Sequence, residues 1–378
     1  MKHFISLLST FFLSAPFLFA QKNTKKEYHL LIGTYAASGK PNGIHVYRFN
    51  TETGDFSQEQ PVTELSNASY LAVSDDRKNV YAVSEAKNGS LNAYAFDAST
   101  GTLKFLNKVP TVGSAYVSVD KGKTMAVTAN YDGGSVTVAP LASDGSLIEG
   151  KARTIQHEGS SVNKQRQDKP HVHSVVWSPD KKYLFAPDLG TDRVYQYRPD
   201  IKSSELLLPA QPAFITIDSI GGGPRHLTFH PNGKWAYLVL EMKGAVMAFD
   251  YGKGKLKAKQ TISMVSPDFT GTGSGADIHI SPDGKFLYAS NRGRANEIAI
   301  YSINKKGELT MIGRQSVLGR TPRNFAITPG GEFLLVANQD TNEIIIFKRD
   351  QKTGMLSPTG SKIEVSKPVC LKFVEAGE

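Results

Sequence analysis

The sequence predicts an all-β fold, a seven-bladed β-propeller with four antiparallel strands per blade and a ring closed by the C-terminal strand joining the N-terminal blade. Three observations predict it. A unit of about 50 residues recurs along nearly all of the 378-residue chain, a period that marks a propeller or a solenoid. Each unit divides into short runs rich in β-branched and aromatic residues, separated by turn residues and without helical periodicity, which favours the propeller. The chain also opens on what is elsewhere a second-strand motif, LLIGTY, and ends on an unpartnered first-strand motif, KPVCLKF. Its two ends therefore complete one blade and leave no open sheet edge.

The unit is clearest from Gly221 to Glu241, GGGPRHLTFHPNGKWAYLVLE. In its middle HPNGK is a turn, because Pro fixes one backbone dihedral while Asn232 and Gly233 accept positive φ. LTFH before it and WAYLVL after it are the strands of a hairpin. Folding about Asn232 and Gly233 sets Arg225 across from Glu241, within one residue of register. The turn recurs in VSDDRKNVYAVSE, VDKGKTMAVTAN, SPDKKYLFAPDL, SPDGKFLYASNR and TPGGEFLLVANQ. Aligned on Tyr237, the units put Tyr81, Ala126, Phe185, Tyr237, Tyr288 and Leu335 in equivalent places, 45, 59, 52, 51 and 47 residues apart, and Leu31 of LLIGTY stands 50 residues before Tyr81. A third apolar strand follows, as in GAVMAFDY, NEIAIYSI and NEIIIFKR, then a polar turn such as KKGEL or KTGML and a fourth strand.

Residues 1–20 are expected to be a secretory signal peptide: Lys2 precedes the apolar run FISLLSTFFLSAPFLFA, which is too short to span a bilayer comfortably and ends at Ala20. Residues 21–27 then form a linker and residues 28–376 the propeller. No other run approaches the roughly 18 apolar residues of a transmembrane helix, so the mature chain is expected to be off the membrane, secreted or periplasmic. The only cysteine, Cys370 in PVCLKF, has no partner in the chain and reads as a buried core thiol. Formal charge is +9, and the leader contains Lys2 and no acid, which leaves +8 on the mature chain. The basic residues are scattered, with no basic helix or aromatic–basic stripe, which excludes a nucleic-acid surface and leaves an anionic small ligand or a solvated basic surface. The chain is expected to act as a monomer.

First strands line the channel of a propeller, so residues before strand one and after strand two gather at one mouth. Around the ring these are Ser69 with Glu85, Ser114 with Asn130, His173 with Asp188, Arg225 with Glu241, Asp277 with Arg292, and Arg323 with Gln339. His171, His226, Asn291, Asn324 and Asn338 stand beside them. Turn residues on the opposite face are ordinary Asp, Asn, Gly and Lys. Asp188 opposite His173 is expected to fix its tautomer and raise its basicity, and Arg225 opposite Glu241 to hold that carboxylate ionised. The plain alternative is a wet polar rim with a structural ion pair. His171 and His173, two apart on a strand, would with Asp188 offer a weak metal-binding pattern. His226, followed by an apolar run, and His279 in ADIHIS suit the core, and His230 belongs to a turn.

One polar stretch, Gln156 to Lys169, interrupts the repeat and produces the 59-residue interval. It is either part of a binding site or a solvated excursion. GTGSGAD has closely spaced glycines, but a strand follows where a dinucleotide fingerprint needs a helix, so it is a loop. No cofactor is expected.

The segments PHVHSVVWSPDKKYLFAPDLGTDRVYQY, GPRHLTFHPNGKWAYLVLE and SPDGKFLYASNRG resemble the seven-bladed lactonase family that includes cycloisomerase-type bacterial 6-phosphogluconolactonases and fungal carboxy-muconate lactonizing enzymes. The resemblance covers the whole mature chain. It implies His173, Arg225, Glu241 and Arg292 as the catalytic set, no metal, and a small-molecule lactone bearing an anionic group as substrate. Position at the same mouth adds His171, Asp188, His226, Asn291, Arg323, Asn324, Asn338 and Gln339 as substrate-binding candidates. An exported enzyme does not meet a cytosolic sugar phosphate, and another sugar lactone would remove that conflict. The chemistry expected is hydrolysis of a sugar lactone to the sugar acid: Glu241 or His173 takes a proton from water, and Arg225 and Arg292 hold the substrate anion or the oxyanion. No serine elbow or catalytic cysteine is present, which favours direct attack by water. Rival readings are a lactonizing cycloisomerase acting on muconate-like diacids, and a non-catalytic secreted propeller that binds a sugar acid or a protein.

Overall fold

A hairpin built on a turn such as SPDGK cannot cover both of its faces alone, and its stability depends on neighbours stacked against each side. The computed structural model supplies them as seven four-stranded antiparallel sheets. It describes residues 26–40, 42–271 and 273–377, so the expected leader at 1–20 and most of the expected linker lie outside the described residues. Among the described residues there is no helix.

The first blade takes its inner strand, Pro368–Glu375, from the far end of the chain and continues with Glu27–Thr34, Gly43–Asn50 and Phe56–Glu64. The expected closure is thus present, with Leu31 opposite Lys372 and Gly33 opposite Cys370. Blades two to seven follow in sequence order, with inner strands Ala68–Val73, Ser114–Val119, Val176–Trp177, Pro224–Phe229, Ser274–Ile280 and Pro322–Ile327. Second and third strands are buried almost throughout, whereas a fourth strand such as Phe56–Glu64 is largely wet. That gradient explains why the second strands read as unbroken apolar runs while the outer ones do not.

The core is a series of apolar seams between adjacent blades. One seam joins Phe49 and Leu371 of the first blade to Leu335 and Ile346 of the seventh, and another joins Tyr237 and Val246 to Leu287 and Tyr301. The residue on which the repeats align locks these seams. The hydroxyls of Tyr81, Tyr237 and Tyr288, all fully buried, donate to the carbonyls of Gly145, Gly307 and Gly354, each in the outer turn of the next blade. Where the equivalent residue is Ala126, Phe185 or Leu335 that hydroxyl is missing, and other contacts cross the seam, such as the Tyr251 hydroxyl donating to Asp180 and the Leu371 amide donating to Asn324. The inner turns depend on a left-handed residue, supplied by Gly233 at φ 69° and Gly284 at φ 74°, and by Arg77, Lys123 and Lys181 in the less glycine-rich copies. Cys370 is free and buried, its Sγ accepting from the Leu71 amide.

Removing the last strand strips the buried Val369, Leu371 and Val374 from the first blade. At about 1.5–3 kcal/mol per large aliphatic side chain this is about 5–9 kcal/mol, comparable with a whole domain's stability. A chain ending at Lys367 is therefore expected to lose its cooperative thermal transition, followed by circular dichroism. Wild-type melting of that truncated chain would contradict the closure.

Candidate active site at the channel mouth

In every blade the inner strand carries one extra residue at its mouth end. Ala68 and Tyr70 pair with the consecutive Ser84 and Val83, Ser114 and Tyr116 with Asn130 and Ala129, and Pro322 and Asn324 with Asn338 and Ala337. Pro224 and Leu227 span Leu240 to Leu238, Gly275 and Ile278 span Asn291 to Ala289, and Val172 and Val176 span Asp188 to Phe185. The first blade shows the same offset, with Gly33 and Thr34 facing Cys370 and Pro368. A bulge of this kind bends the strand and re-aims the side chains on it. It swings Arg225, His226, Asp277 and Arg323 off the pleat and toward the ring axis.

Glu241 is the centre of what they form. Its Oε2 is 2.6 Å from Arg225 Nη1 and 3.1 Å from Arg292 Nη2, and its Oε1 is 2.7 Å from Arg166 Nη2. His173 Nε2 lies 4.0 Å from the same carboxylate and accepts from Arg225 Nη1. The arginines are themselves pinned: Arg225 Nε donates to the Ala276 carbonyl, and Arg292 donates to the carbonyl of Gly275. His173, Arg225 and Glu241 are buried, while the Arg166 side chain is 45% exposed. Burial alone would raise the Glu241 carboxyl, but the Arg292 and Arg225 guanidinium groups outweigh it and hold the group well below the usual carboxylate range. Burial, reinforced by Arg225, pushes His173 well below an ordinary imidazole, so it is neutral. Burial also brings Arg292 down to about 10 against the pull of Glu241.

Across the mouth, Arg323 lies over the Tyr35 ring, 5.0 Å from its centroid, and 3.6 Å from Glu85, to which the Tyr35 hydroxyl donates. Four guanidinium groups thus face two carboxylates. The excess is positive and suits a site that binds, or generates, an anion.

A family profile described as "Lactonase, 7-bladed beta-propeller" matches residues 29–373. The chain belongs to the seven-bladed β-propeller lactonase family. It is 35% identical over 349 residues to a 6-phosphogluconolactonase of Bacillus subtilis, covering 91% of this chain and 97% of that protein. Identity is 37% over 345 residues to a 6-phosphogluconolactonase of Formosa agariphila, covering 89% and 97%. Among solved structures, the periplasmic gluconolactonase of Pseudomonas aeruginosa superposes with a TM-score of 0.88 at 38% identity, covering 93% of this chain and all of that one.

In this lactonase the structure brings His173, Arg225, Glu241 and Arg292 together, but it corrects several of the expected pairings. Asp188 does not face His173. It accepts from the His171, Gly190 and Thr191 amides and pairs at 2.8 Å with His157, a residue outside the repeat. With Asp188 turned away, the trio with His171 and His173 does not form, and among the described residues no three His, Cys, Asp or Glu side chains converge as metal ligands. His171 lies just before the strand rather than on it, stacked on Tyr131 at 4.5 Å. The bulge puts Ser274, not Asp277, opposite Arg292, and Asp277 turns into the channel to meet His226, His279 and Asn324. Asn291 and Asn338 fix the rim by accepting from the Ser274 amide and donating to the Val317 carbonyl. Gln339 lies on the rim too, its side chain against Asp340.

Residues that the repeat could not reveal are Arg166, Tyr131 and Tyr35. Arg166 sits in the interrupting stretch, which is no solvated excursion. Its first residues are anchored by His157, buried between Asp188, the Tyr197 hydroxyl and the Tyr195 ring, and its tip donates to Glu241 and to the Tyr131 hydroxyl. The 59-residue interval was the available signal.

Burial lowers His226 from 6.5 to about 4 in the folded chain. The unfolded chain therefore binds more protons between those values, so His226's contribution is complete above pH 6.5 and is lost as pH falls toward 4, worth about 3 kcal/mol. Urea unfolding across this window is expected to show the decline, and His226→Gln to flatten it. Parallel curves for the two proteins would refute that origin.

Proposed function

We propose that this chain hydrolyses a sugar lactone to the sugar acid at the channel mouth, and does so after export. The observation that carries the proposal is a buried carboxylate gripped by three guanidinium groups beside a neutral imidazole, at an opening with excess positive charge. Relatives named 6-phosphogluconolactonase and a neighbour named periplasmic gluconolactonase support the substrate class. The leader at residues 1–20 and that periplasmic neighbour support the location.

Of the two candidate bases, His173 is the better placed. Glu241 is held by Arg166, Arg225 and Arg292 together, whereas the neutral His173 has a single hydrogen bond on Nε2, from Arg225 Nη1, and Nε2 becomes free once that guanidinium turns to the substrate oxygen. Water attacks the lactone carbonyl as His173 Nε2 takes its proton. The oxyanion forms against Arg225 and Arg292, whose forks Glu241 holds in place before the substrate arrives. Collapse of the tetrahedral intermediate breaks the bond to the ring oxygen, which receives the proton from His173. The product is a hydroxy acid, whose new carboxyl group releases one proton to solvent and whose carboxylate the arginines retain until release. Arg166, the most exposed of the guanidinium groups on Glu241, meets an incoming anion first.

His173→Ala is expected to lower kcat about 10²-fold or more, the usual size for losing a general base, in a pH-indicator assay of gluconolactone and 6-phosphogluconolactone with and without chelator. Undiminished turnover in that variant would sink the assignment, and saturable binding without turnover by the wild type would favour the binding-protein reading. Arg166→Ala is expected to raise KM for a phosphorylated lactone about 10-fold, the size of one charge-assisted hydrogen bond, with little change for the neutral one. An equal effect on both substrates would count against its role as the anion contact.

A further inference from the structure

Beneath the mouth two buried imidazoles pack edge to face, and each has one ring nitrogen without a partner. The rings of His173 and His226 lie 5.3 Å apart at 69°, and His173 Nδ1 and His226 Nε2 make no hydrogen bond among the described residues. Buried polar atoms are nearly always satisfied, and leaving one orphaned is costly. The tautomers, fixed by the partners on the other side of each ring, decide what these two atoms can do.

His226 Nδ1 lies 2.8 Å from Asp277 Oδ1. Asp277 is ringed by donors: His279 Nε2 at 2.8 Å, the Ile278 amide at 3.0 Å and the Asn324 side-chain amide. It is therefore an acceptor-only carboxylate. His226 must carry its hydrogen on Nδ1, which leaves a lone pair on Nε2. On the other ring, His173 Nε2 faces Arg225 Nη1, which can only donate. A neutral His173 must then carry its hydrogen on Nδ1. One orphan is a donor and the other an acceptor.

We infer that His173 Nδ1–H is hydrogen-bonded to His226 Nε2 through one water, so that Asp277 and His226 form a positioning pair holding the His173 ring with Nε2 toward Arg225 and the lactone. The rings are neighbours, 5.3 Å apart between centres, with the two nitrogens out of direct hydrogen-bond contact, and a water between a donor and an acceptor satisfies both. Burial keeps both rings neutral in the resting protein, with Arg225 as the next contribution for His173 and Asp277 opposing for His226. The charged and titratable groups around His173 are Arg225, Glu241, Tyr131, His226 and Arg323. Those around His226 are Asp277, Arg225, His279, His173, Tyr70 and Tyr116.

The role rests on the hydrolytic reading above. When His173 Nε2 takes the proton of the attacking water, the imidazolium's Nδ1–H bond to His226 strengthens, and the Asp277 carboxylate behind it offsets the new charge. When Nε2 passes that proton to the departing ring oxygen, the pair returns to its starting state with no proton gained or lost. Without the acceptor at His226, the His173 Nδ1–H has nothing behind it and Arg225 alone holds the ring, so the imidazolium formed when Nε2 takes a proton loses its support.

Histidine-selective ¹⁵N NMR of the full mature chain near pH 7, with His173 assigned through His173→Gln, is expected to show His173 protonated at Nδ1 and bare at Nε2. In kinetics, His226→Leu is expected to lower kcat about 10-fold or more at unchanged KM, while His226→Gln, whose amide oxygen can stand where Nε2 stood, recovers most of it. A hydrogen on His173 Nε2, or equal kcat in His226→Leu and His226→Gln, would overturn the pairing. If the wild type hydrolyses no lactone, the functional reading falls by itself, and the tautomer measurement still decides this one.

Discussion

A carboxylate taken out of water must be repaid by close, well-oriented opposite charge, and Glu241 sets that condition for the whole mouth. Its three guanidinium partners come from different places: Arg225 from its own blade, Arg292 from the next, and Arg166 from the stretch that precedes the fourth blade. Losing any one leaves charge stranded in a dry setting, so the blades and the long stretch are held in one mutual arrangement. The same clustering would serve the proposed hydrolysis with little further reorganisation, since donors already fixed to one anion are poised for another that develops close by.

The repeated bulge turns seven similar hairpins into a site. At the opposite face, regular turns place their polar residues in solvent, with Ser178 and Ser281 simply closing onto Asp180 and Asp283. At the mouth, the extra residue in each inner strand breaks the strict alternation and delivers consecutive residues such as Arg225 and His226 inward. Small changes of residue at one structural position then yield a layered interior: arginine and glutamate at the opening, histidine below, and Asp277 with His279 deeper in the channel.

The blade count, the closure and the Arg225–Glu241 pairing were legible in the sequence because turn chemistry and apolar runs repeat with little variation. The pairing survived the bulge because Arg225, although within it, has a long side chain that still reaches Glu241. Asp277 has a short one, and its partners were misread for that reason. Asp188 was misassigned for a different one: its partner His157 comes from outside the repeat, where no alignment of units can place it. Arg166 is hidden in the same way, since a polar stretch gives no sign of which residue folds back over the mouth.

Because the first blade borrows its innermost strand from residues 368–375, it is incomplete until those residues have been synthesised. A nascent chain therefore cannot finish the ring blade by blade as it leaves the ribosome. The earliest strand to emerge waits for the latest, a contact spanning almost the entire polypeptide. Circularisation is thus the step that converts a string of stacked sheets into a fixed vessel.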